Sequence, residues 1–314
     1  MQKSSKILVI GHQDVIENSL GSYFARQGFD HVFLSGMIGW DVLNQANVKK
    51  FFEEKRPEYV FLGSVRSGGI AANQKFSAEF IYENLEAQNN IVHAAYTFGV
   101  KKLLFLAGSC VYPKESLQPI KEKYLLTGPL EETSEAYSVA KIAGIKLCQA
   151  YQRQYKFDAI VAIPATIYGP GSDANQETAH VIGALIGKFT EAKLRNEKSV
   201  VVWGTGKPQR EFIYADDFVE SCLFLMEKYK DEEPINIGCG RDVSIKELAS
   251  LIADISGFKG EIIFDKTKPD GTMRKLLDNQ KIEKLGWKPK VDLKEGITKT
   301  YDWYLKQKTA ELKK

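Results

Sequence analysis

The residues whose types and spacing best support chemistry are Tyr137 and Lys141, which lie four positions apart in the segment Tyr-Ser-Val-Ala-Lys. In a helix, residues i and i+4 share a face, so the ammonium lies beside the phenol. A nearby positive charge favours phenolate and lowers a tyrosine pKa that starts near ~10. Such a tyrosine can donate and accept the proton of carbonyl–alcohol chemistry. Because the pair also occurs by chance on exposed helices, its surroundings decide its meaning.

Short apolar runs alternate with helical patterns through the first half of the chain, and these elements must position the pair. We predict strands near residues 6–10, 31–34, 59–62, 102–106 and 159–163. The intervening helices are predicted near residues 15–26, 46–55 and 77–98, followed by the helix that carries Tyr137. Alternating strands and helices imply a Rossmann-type doubly wound parallel sheet of the α/β class, which binds ligands at the carboxyl ends of its strands. Gly11 and the Gly108–Cys110 turn fall on that edge.

Beyond Gly171 the pattern is less regular. We predict a Rossmann dinucleotide-binding domain over residues 1–170, to which residues 213–240 return. A smaller α/β nucleotide-sugar lobe is predicted over residues 171–314. Its predicted helices lie near residues 180–194, 216–228, 245–255 and 293–306, and its predicted strands near 200–203, 235–237 and 261–264.

The composition points to a soluble enzyme rather than a nucleic-acid or membrane protein. The net charge of +3 results from 43 basic and 40 acidic residues among 314, mixed along the chain. This balance gives no reason to expect nucleic acid or a membrane surface as a partner. The four cysteines show no metal-ligand spacing, and no apolar run approaches the ~20 residues that span a bilayer. We therefore expect a cytoplasmic protein without a bound metal.

Several long segments resemble one family. They are Lys102–Pro113, Tyr137–Lys146, His180–Ile182, Val201–Gly204, Arg210–Phe212 and Pro269–Asp278. Through them the chain resembles GDP-L-fucose synthase, an extended short-chain dehydrogenase/reductase, from about Ile7 to about Tyr304. That family epimerises carbons 3 and 5 of GDP-4-keto-6-deoxymannose and then reduces the 4-keto group with NADPH.

The resemblance implies roles for four residues. Cys110 and His180 match the proton-transfer pair of epimerisation, in which a base on one face of the carbon and an acid on the other invert the centre. Tyr137 would donate a proton to the oxygen on carbon 4, and Lys141 would hold the cofactor ribose and depress the tyrosine pKa. Taken singly, a cysteine and a histidine are more often a buried small residue and a helix cap, but both lie inside long matching segments.

One departure from the family lies at the end of the predicted fourth strand. The family places a serine there that stabilises the oxyanion, and this chain has Gly108. Ser109 is the adjacent candidate, although consecutive residues at a strand end point in opposite directions. Losing one such donor typically costs ~100- to 1000-fold in rate, so reduction is the step affected.

A second departure lies in the first strand–helix turn. The family has G-x-x-G-x-x-G, whose small residues let the backbone approach the pyrophosphate. Here only Gly11 is kept, and carboxylates stand at Asp14 and Glu17. Asp14 would compete with phosphate for the amides of the helix N-terminus, or act as an ordinary N-cap. The candidate residues for an NADP site are therefore Gly11, Gln13, Asp14, Ser35, Asp41, Arg66 and Lys141.

The nucleotide-sugar half follows the family more closely. Lys188, Trp203, Arg210 and Arg274 match positions in segments that contact the GDP-sugar. Arginine suits a diphosphate because its planar fork donates two parallel hydrogen bonds. The resemblance further implies a homodimer, built from the long helices near residues 77–98 and 137–155.

Three functions remain open at this point. The first is an NADP-dependent epimerase/reductase that acts on a GDP-4-keto-6-deoxyhexose. The second is a diverged paralogue that keeps proton transfer by Cys110 and His180 but has lost hydride transfer. The third is a non-catalytic binding partner of an active homologue. The carboxylates of the first turn favour the last two, and the retained Tyr137 and Lys141 favour the first.

Overall fold

The strands follow the predicted order. The computed structural model describes residues 1–11, 15–175 and 179–311. The strands within these ranges are β1 (Ile7–Ile10), β2 (Val32–Leu34), β3 (Tyr59–Leu62), β4 (Lys102–Leu106), β5 (Ala159–Pro164), β6 (Thr166–Tyr168), β7 (Ser199–Trp203), β8 (Gln209–Tyr214), β9 (Ile235–Ile237), β10 (Asp242–Ser244), β11 (Glu261–Asp265) and β12 (Arg274–Lys275).

The helices fill the connections between these strands. They are α1 (Val15–Arg26), α2 (Ser35–Ile38), α3 (Gln45–Lys55), α4 (Ile70–Lys75), α5 (Ser77–Thr97), α6 (Glu135–Tyr155), α7 (Val181–Leu194), α8 (Ala215–Lys228), α9 (Ile245–Ser256), α10 (Gln280–Leu285) and α11 (Leu293–Glu311). Among the described residues, no helix combines the length and apolar character needed to cross a membrane.

A parallel sheet with the strand order β2-β1-β3-β4-β5-β9 forms the centre of the described structure. Strands β1, β4 and β5 are buried along their whole length, as expected where helices cover both faces of a parallel sheet. The order reverses between β1 and β3, and ligands of doubly wound sheets bind at such a reversal. The predicted Rossmann-type α/β fold is confirmed.

Residues after Gly171 divide between this sheet and a second hydrophobic cluster. Strand β9 pairs with β5 and so belongs to the central sheet. The second cluster is built from apolar side chains of α7, β7, α9 and α11, among them Phe189, Leu248, Ile252 and Ile297. Strand β8 pairs with β6, β10 and β12 in a second, smaller sheet.

Close packing of α6 on the sheet fixes the position of the Tyr137–Lys141 segment. A Cβ at Gly144 would lie 2.3 Å from the ring of Phe105 on β4 and 2.6 Å from the side-chain oxygen of Gln88 on α5. Only glycine permits this approach. The side-chain amide of Gln88 donates to the carbonyl of Ala140 at 2.8 Å, which joins α5 to α6 one residue before Lys141.

Candidate active site

Tyr137 and Lys141 lie on one face of α6 above the carboxyl end of the sheet. The Lys141 ammonium is buried, donates to the carbonyl of Gly63 at 3.0 Å, and lies 4.7 Å from the centre of the Phe105 ring. It also lies 5.9 Å from the centre of the Tyr137 ring. The predicted i, i+4 pairing therefore holds in space, with a buried cation beside the phenol.

A serine that the sequence analysis did not predict lies within hydrogen-bond distance of the Tyr137 hydroxyl. The hydroxyls of Ser64 and Tyr137 are 2.7 Å apart, and Ser64 is only 4% exposed. Ser64 follows β3, next to the Gly63 carbonyl that accepts the Lys141 hydrogen bond. Its only sequence signal was its place directly after a buried strand.

Cys110 lies in a short 3-10 turn, Ser109–Val111, directly after β4. Its thiol is partly exposed and its sulfur lies 3.8 Å from the carbonyl oxygen of Gly108. Ser109 is also partly exposed. The thiol is therefore accessible at the same edge of the sheet as Tyr137.

His180 immediately precedes α7 and has the extended backbone of an N-cap residue. The residue is exposed to solvent. The protein around it nevertheless displaces enough water to lower its pKa below the ordinary 6.5, against the opposing effect of the Asp173 carboxylate. His180 is consequently uncharged at neutral pH and can accept a proton.

A lysine lies near the cysteine, and an arginine lies beside that lysine. Burial lowers the pKa of Lys275, and the nearby Cys110 thiol and Glu131 carboxyl oppose this effect. Arg210 lies across the paired strands β8 and β12 from Lys275. Burial lowers the pKa of Arg210 to about 10, opposed by the Glu131 and Asp270 carboxylates, so Arg210 stays charged at neutral pH. Lys275 and Glu131 were not predicted, although Lys275 directly follows Arg274 in a segment that the sequence analysis had singled out.

The other predicted substrate residues each have their own partners. The Lys188 ammonium on α7 donates to the carbonyl of Val201 at 3.0 Å, and burial lowers its pKa. Trp203 is 43% exposed, and the ammonium of Lys268 lies over its ring, 5.0 Å from the ring centre. Arg274 makes an ion pair with Asp242 at 2.5 Å.

At the end of β2, where an adenosine ribose lies in dinucleotide-binding sheets, the structure places a buried carboxylate. Glu17, 2% exposed, accepts hydrogen bonds from the amide of Gly36 at 2.8 Å and from the hydroxyl of Ser35 at 3.1 Å. The Ser35 hydroxyl also accepts from the Gly11 amide at 3.1 Å, and its oxygen lies 2.8 Å from the Gly11 carbonyl oxygen. Glu17 therefore ties the first turn of α1 to the ends of β1 and β2.

Two further cofactor candidates have other partners. Arg66 forms a two-pronged ion pair with Glu83 on α5, at 2.7 and 2.9 Å. Asp41 accepts from the amide of Leu43 at 2.9 Å within a local turn. Gln13 and Asp14 lie outside the described residues.

The chain matches known proteins over most of its length. The sequence model of the NAD dependent epimerase/dehydratase family matches residues 7–238. The chain belongs to this family. It is 48% identical to GDP-L-fucose synthase 1 of Arabidopsis thaliana over 97% of this chain and 94% of the relative. The resemblance that the motifs predicted is therefore confirmed, and the chain is a nucleotide-sugar epimerase/reductase of this type.

Solved structures in the same family agree with this placement. A GDP-6-OMe-4-keto-L-xylo-heptose reductase of Campylobacter jejuni superposes with a TM-score of 0.91 at 38% identity, over 98% of this chain and 99% of the reductase. A GDP-mannoheptose C4 reductase of the same organism, with NADP bound, gives a TM-score of 0.88 at 39% identity over 97% and 99%. The fold thus carries reduction at carbon 4 of GDP-sugars in these relatives.

Proposed function

We propose that this chain converts GDP-4-keto-6-deoxymannose to GDP-L-fucose, epimerising carbons 3 and 5 and reducing the 4-keto group with NADPH. The observation that carries the proposal is that Tyr137, Lys141 and Cys110 lie at one edge of the sheet, near the ends of β3 and β4. Tyr137 and Lys141 are fixed there by Ser64 and Gly63, and the Cys110 thiol follows the neighbouring strand β4. Full-length similarity to a plant GDP-L-fucose synthase supports the choice of sugar.

Epimerisation requires only this chain's own residues. Of Cys110 and His180, one removes the proton next to the ketone and the other delivers a proton to the opposite face of the same carbon. The uncharged imidazole of His180 suits it to accept a proton at neutral pH. The side chain of Lys275 lies near the Cys110 thiol.

Reduction uses the Tyr137–Lys141 pair. The residues at this end of the site fit a nicotinamide dinucleotide, since a phenol beside a buried ammonium is the donor set that such reductions need. The cofactor, when bound, supplies the hydride. Tyr137 gives its proton to the oxygen on carbon 4, and Lys141 stabilises the resulting phenolate.

We test the function by supplying GDP-4-keto-6-deoxymannose and NADPH and identifying the product by NMR. Formation of GDP-L-fucose with loss of NADPH supports the proposal. The same assay with a GDP-4-keto-heptose addresses the similarity to the Campylobacter reductases. Turnover of the heptose alone would assign a heptose reductase, and turnover of neither sugar would contradict the proposal.

Arg210 is the residue that we expect to contribute most to binding the diphosphate. Arg210→Lys keeps the charge but loses the planar fork, so the Kd for GDP should rise about tenfold. Isothermal titration measures this change. Arg153→Lys, at the remote ion pair with Glu232, is the matched control and should leave the Kd unchanged. Equal affinities for the Arg210 variant and the wild type would remove Arg210 from the diphosphate site.

Glu17 is expected to weaken the hold on the 2′-phosphate of NADPH, because a buried negative charge lies where that ribose binds. Removing the charge in Glu17→Gln should lower the Kd for NADPH about tenfold, an effect of about 1.4 kcal/mol. NADH lacks the phosphate, and its affinity in the same variant is the internal control. If both cofactors respond equally, the carboxylate does not face the 2′-phosphate.

We also propose a cytoplasmic homodimer formed through α5 and α6. The outer faces of these adjacent helices expose large apolar groups, with Tyr82 61%, Val139 41% and Tyr155 44% exposed. All four cysteines are free thiols, as is usual in a reducing compartment.

A further inference from the structure

Residues 63 and 64, at the carboxyl end of β3, contact both members of the reductase pair. The carbonyl of Gly63 accepts from Lys141, and the hydroxyl of Ser64 lies 2.7 Å from that of Tyr137. Ser64 is a buried polar residue, and Val65 beside it is fixed by a bond from its amide to Asn84 on α5. The Ser64 hydroxyl is thus presented to the tyrosine by an ordered backbone.

The neighbouring strand lacks the hydroxyl that the family carries. Gly108, after β4, has an extended backbone with φ −164° and ψ 157° that any residue can adopt. A Cβ built there would meet only the Cys110 sulfur, at an ordinary 3.7 Å. A serine would therefore fit at position 108, and its absence is not imposed by space.

The two positions lie side by side in the sheet. Strands β3 and β4 are parallel neighbours, with Leu62 paired to Phe105, so Ser64 and Gly108 follow adjacent strands at the same edge. We propose that Ser64 takes over the hydroxyl function that position 108 has lost, the hydroxyl having moved from the end of β4 to the end of β3. The proposal names a positioning residue of the reductase site and rests on the proposed function.

The chemistry follows from the hydrogen bond. When Tyr137 gives its proton to the oxygen on carbon 4, a phenolate is left behind. The Ser64 hydroxyl donates to that phenolate, and the Lys141 ammonium stabilises it from the other side. A hydrogen bond to the charged form favours that form, so Ser64 makes Tyr137 the stronger acid and holds its oxygen in one orientation.

The test compares Ser64→Ala with the wild type. The kcat for ketone reduction should fall ~10- to 100-fold, the size of a lost hydrogen bond to a charged group, while KM for the sugar stays within about twofold. The alkaline limb of the kcat profile should move to higher pH, because the phenolate has lost a donor. Ser221→Ala removes another buried hydroxyl, one bonded within α8, and should leave kcat within about twofold.

Rescue separates a chemical role from a structural one. Adding Gly108→Ser to Ser64→Ala returns a hydroxyl to the usual position, and kcat should recover at least about fivefold over the single variant. Unchanged kcat and pH profile in Ser64→Ala would overturn the proposal. A fall in kcat with no shift of the alkaline limb and no rescue would also overturn it, since that pattern indicates a packing defect.

A readout independent of turnover distinguishes this proposal from the proposed function. The Tyr137 resonance in protein carrying ¹³C-labelled tyrosine is the one missing from Tyr137→Phe, and it reports the titration directly. Ser64→Ala should raise the pKa of Tyr137 relative to the wild type, even if the wild type reduces no sugar that is tried. An unchanged titration would reject the role of Ser64 whatever the enzyme's activity.

Discussion

Tyr137→Phe should lower kcat for NADPH-dependent ketone reduction by about 100- to 10,000-fold, the range typical of a lost general acid. Phenylalanine keeps the ring that packs against Phe80 at 6.1 Å between centroids, so the loss is specific to the hydroxyl. Exchange of the protons next to the ketone should fall by a smaller factor, because Cys110 and His180 are intact. Stopped-flow absorbance of NADPH measures the reduction.

The control for this variant lies on the same helix. Tyr155→Phe removes a phenol from the far end of α6, where the ring stacks on Tyr96 at 4.4 Å, and should reduce the ketone at the wild-type rate. Retention of more than a tenth of the wild-type kcat in Tyr137→Phe would contradict the assignment of Tyr137 as the acid.

Cys110→Ser should have the opposite effect to Tyr137→Phe: it should slow proton exchange and leave ketone reduction intact. A hydroxyl is far less acidic than a thiol and cannot serve as the exchanging group at neutral pH, so exchange at carbons 3 and 5 should fall about 100- to 10,000-fold. Reduction of the ketone should continue and give a sugar that keeps the substrate's configuration at those carbons. NMR of the product and mass spectrometry of exchange in deuterated water measure both effects.

Cys239→Ser is the matched control, since that cysteine also lies partly exposed after a sheet strand but its thiol donates to the carbonyl of Arg241 at 3.2 Å. Its exchange rate should equal that of the wild type. If Cys110→Ser still forms the fully epimerised product at the normal rate, another residue transfers the proton.

The sequence predicted the central sheet well because its strands are runs of three to six mostly apolar residues separated by helical patterns. Helix α1 and strands β3, β4 and β9 have the predicted bounds. The prediction missed β6, β8, β10 and β12, together with the short helices α2, α4 and α10. These strands are short or partly polar and are defined by pairing between distant segments, as in β8 with Arg274 of β12, which local pattern does not reveal.

The positions of Tyr137 and Lys141 relative to each other were predictable from the sequence, whereas the residues that contact the candidate site from distant segments were not. Helical spacing alone placed Lys141 beside Tyr137. The bond from Ser64 spans 73 positions, and the proximity of Lys275 to Cys110 depends on how the chain returns to the sheet after β8. The sequence also predicted that the Glu17 carboxylate would interfere with binding of the dinucleotide. It did not predict that this carboxylate lies against Ser35 and Gly36, at the end of β2. The roles of the individual site residues and the boundary near residue 170 stay predictions.

The central claim is that one site performs both proton exchange and ketone reduction, and one experiment tests it directly. The protein is incubated with GDP-4-keto-6-deoxymannose in deuterated water, with and without NADPH, and the sugar is weighed by mass spectrometry. We predict deuterium at carbons 3 and 5 in both samples, and a reduced product only where NADPH is present. Reduction without deuterium uptake, or no mass change in either sample, would contradict the account.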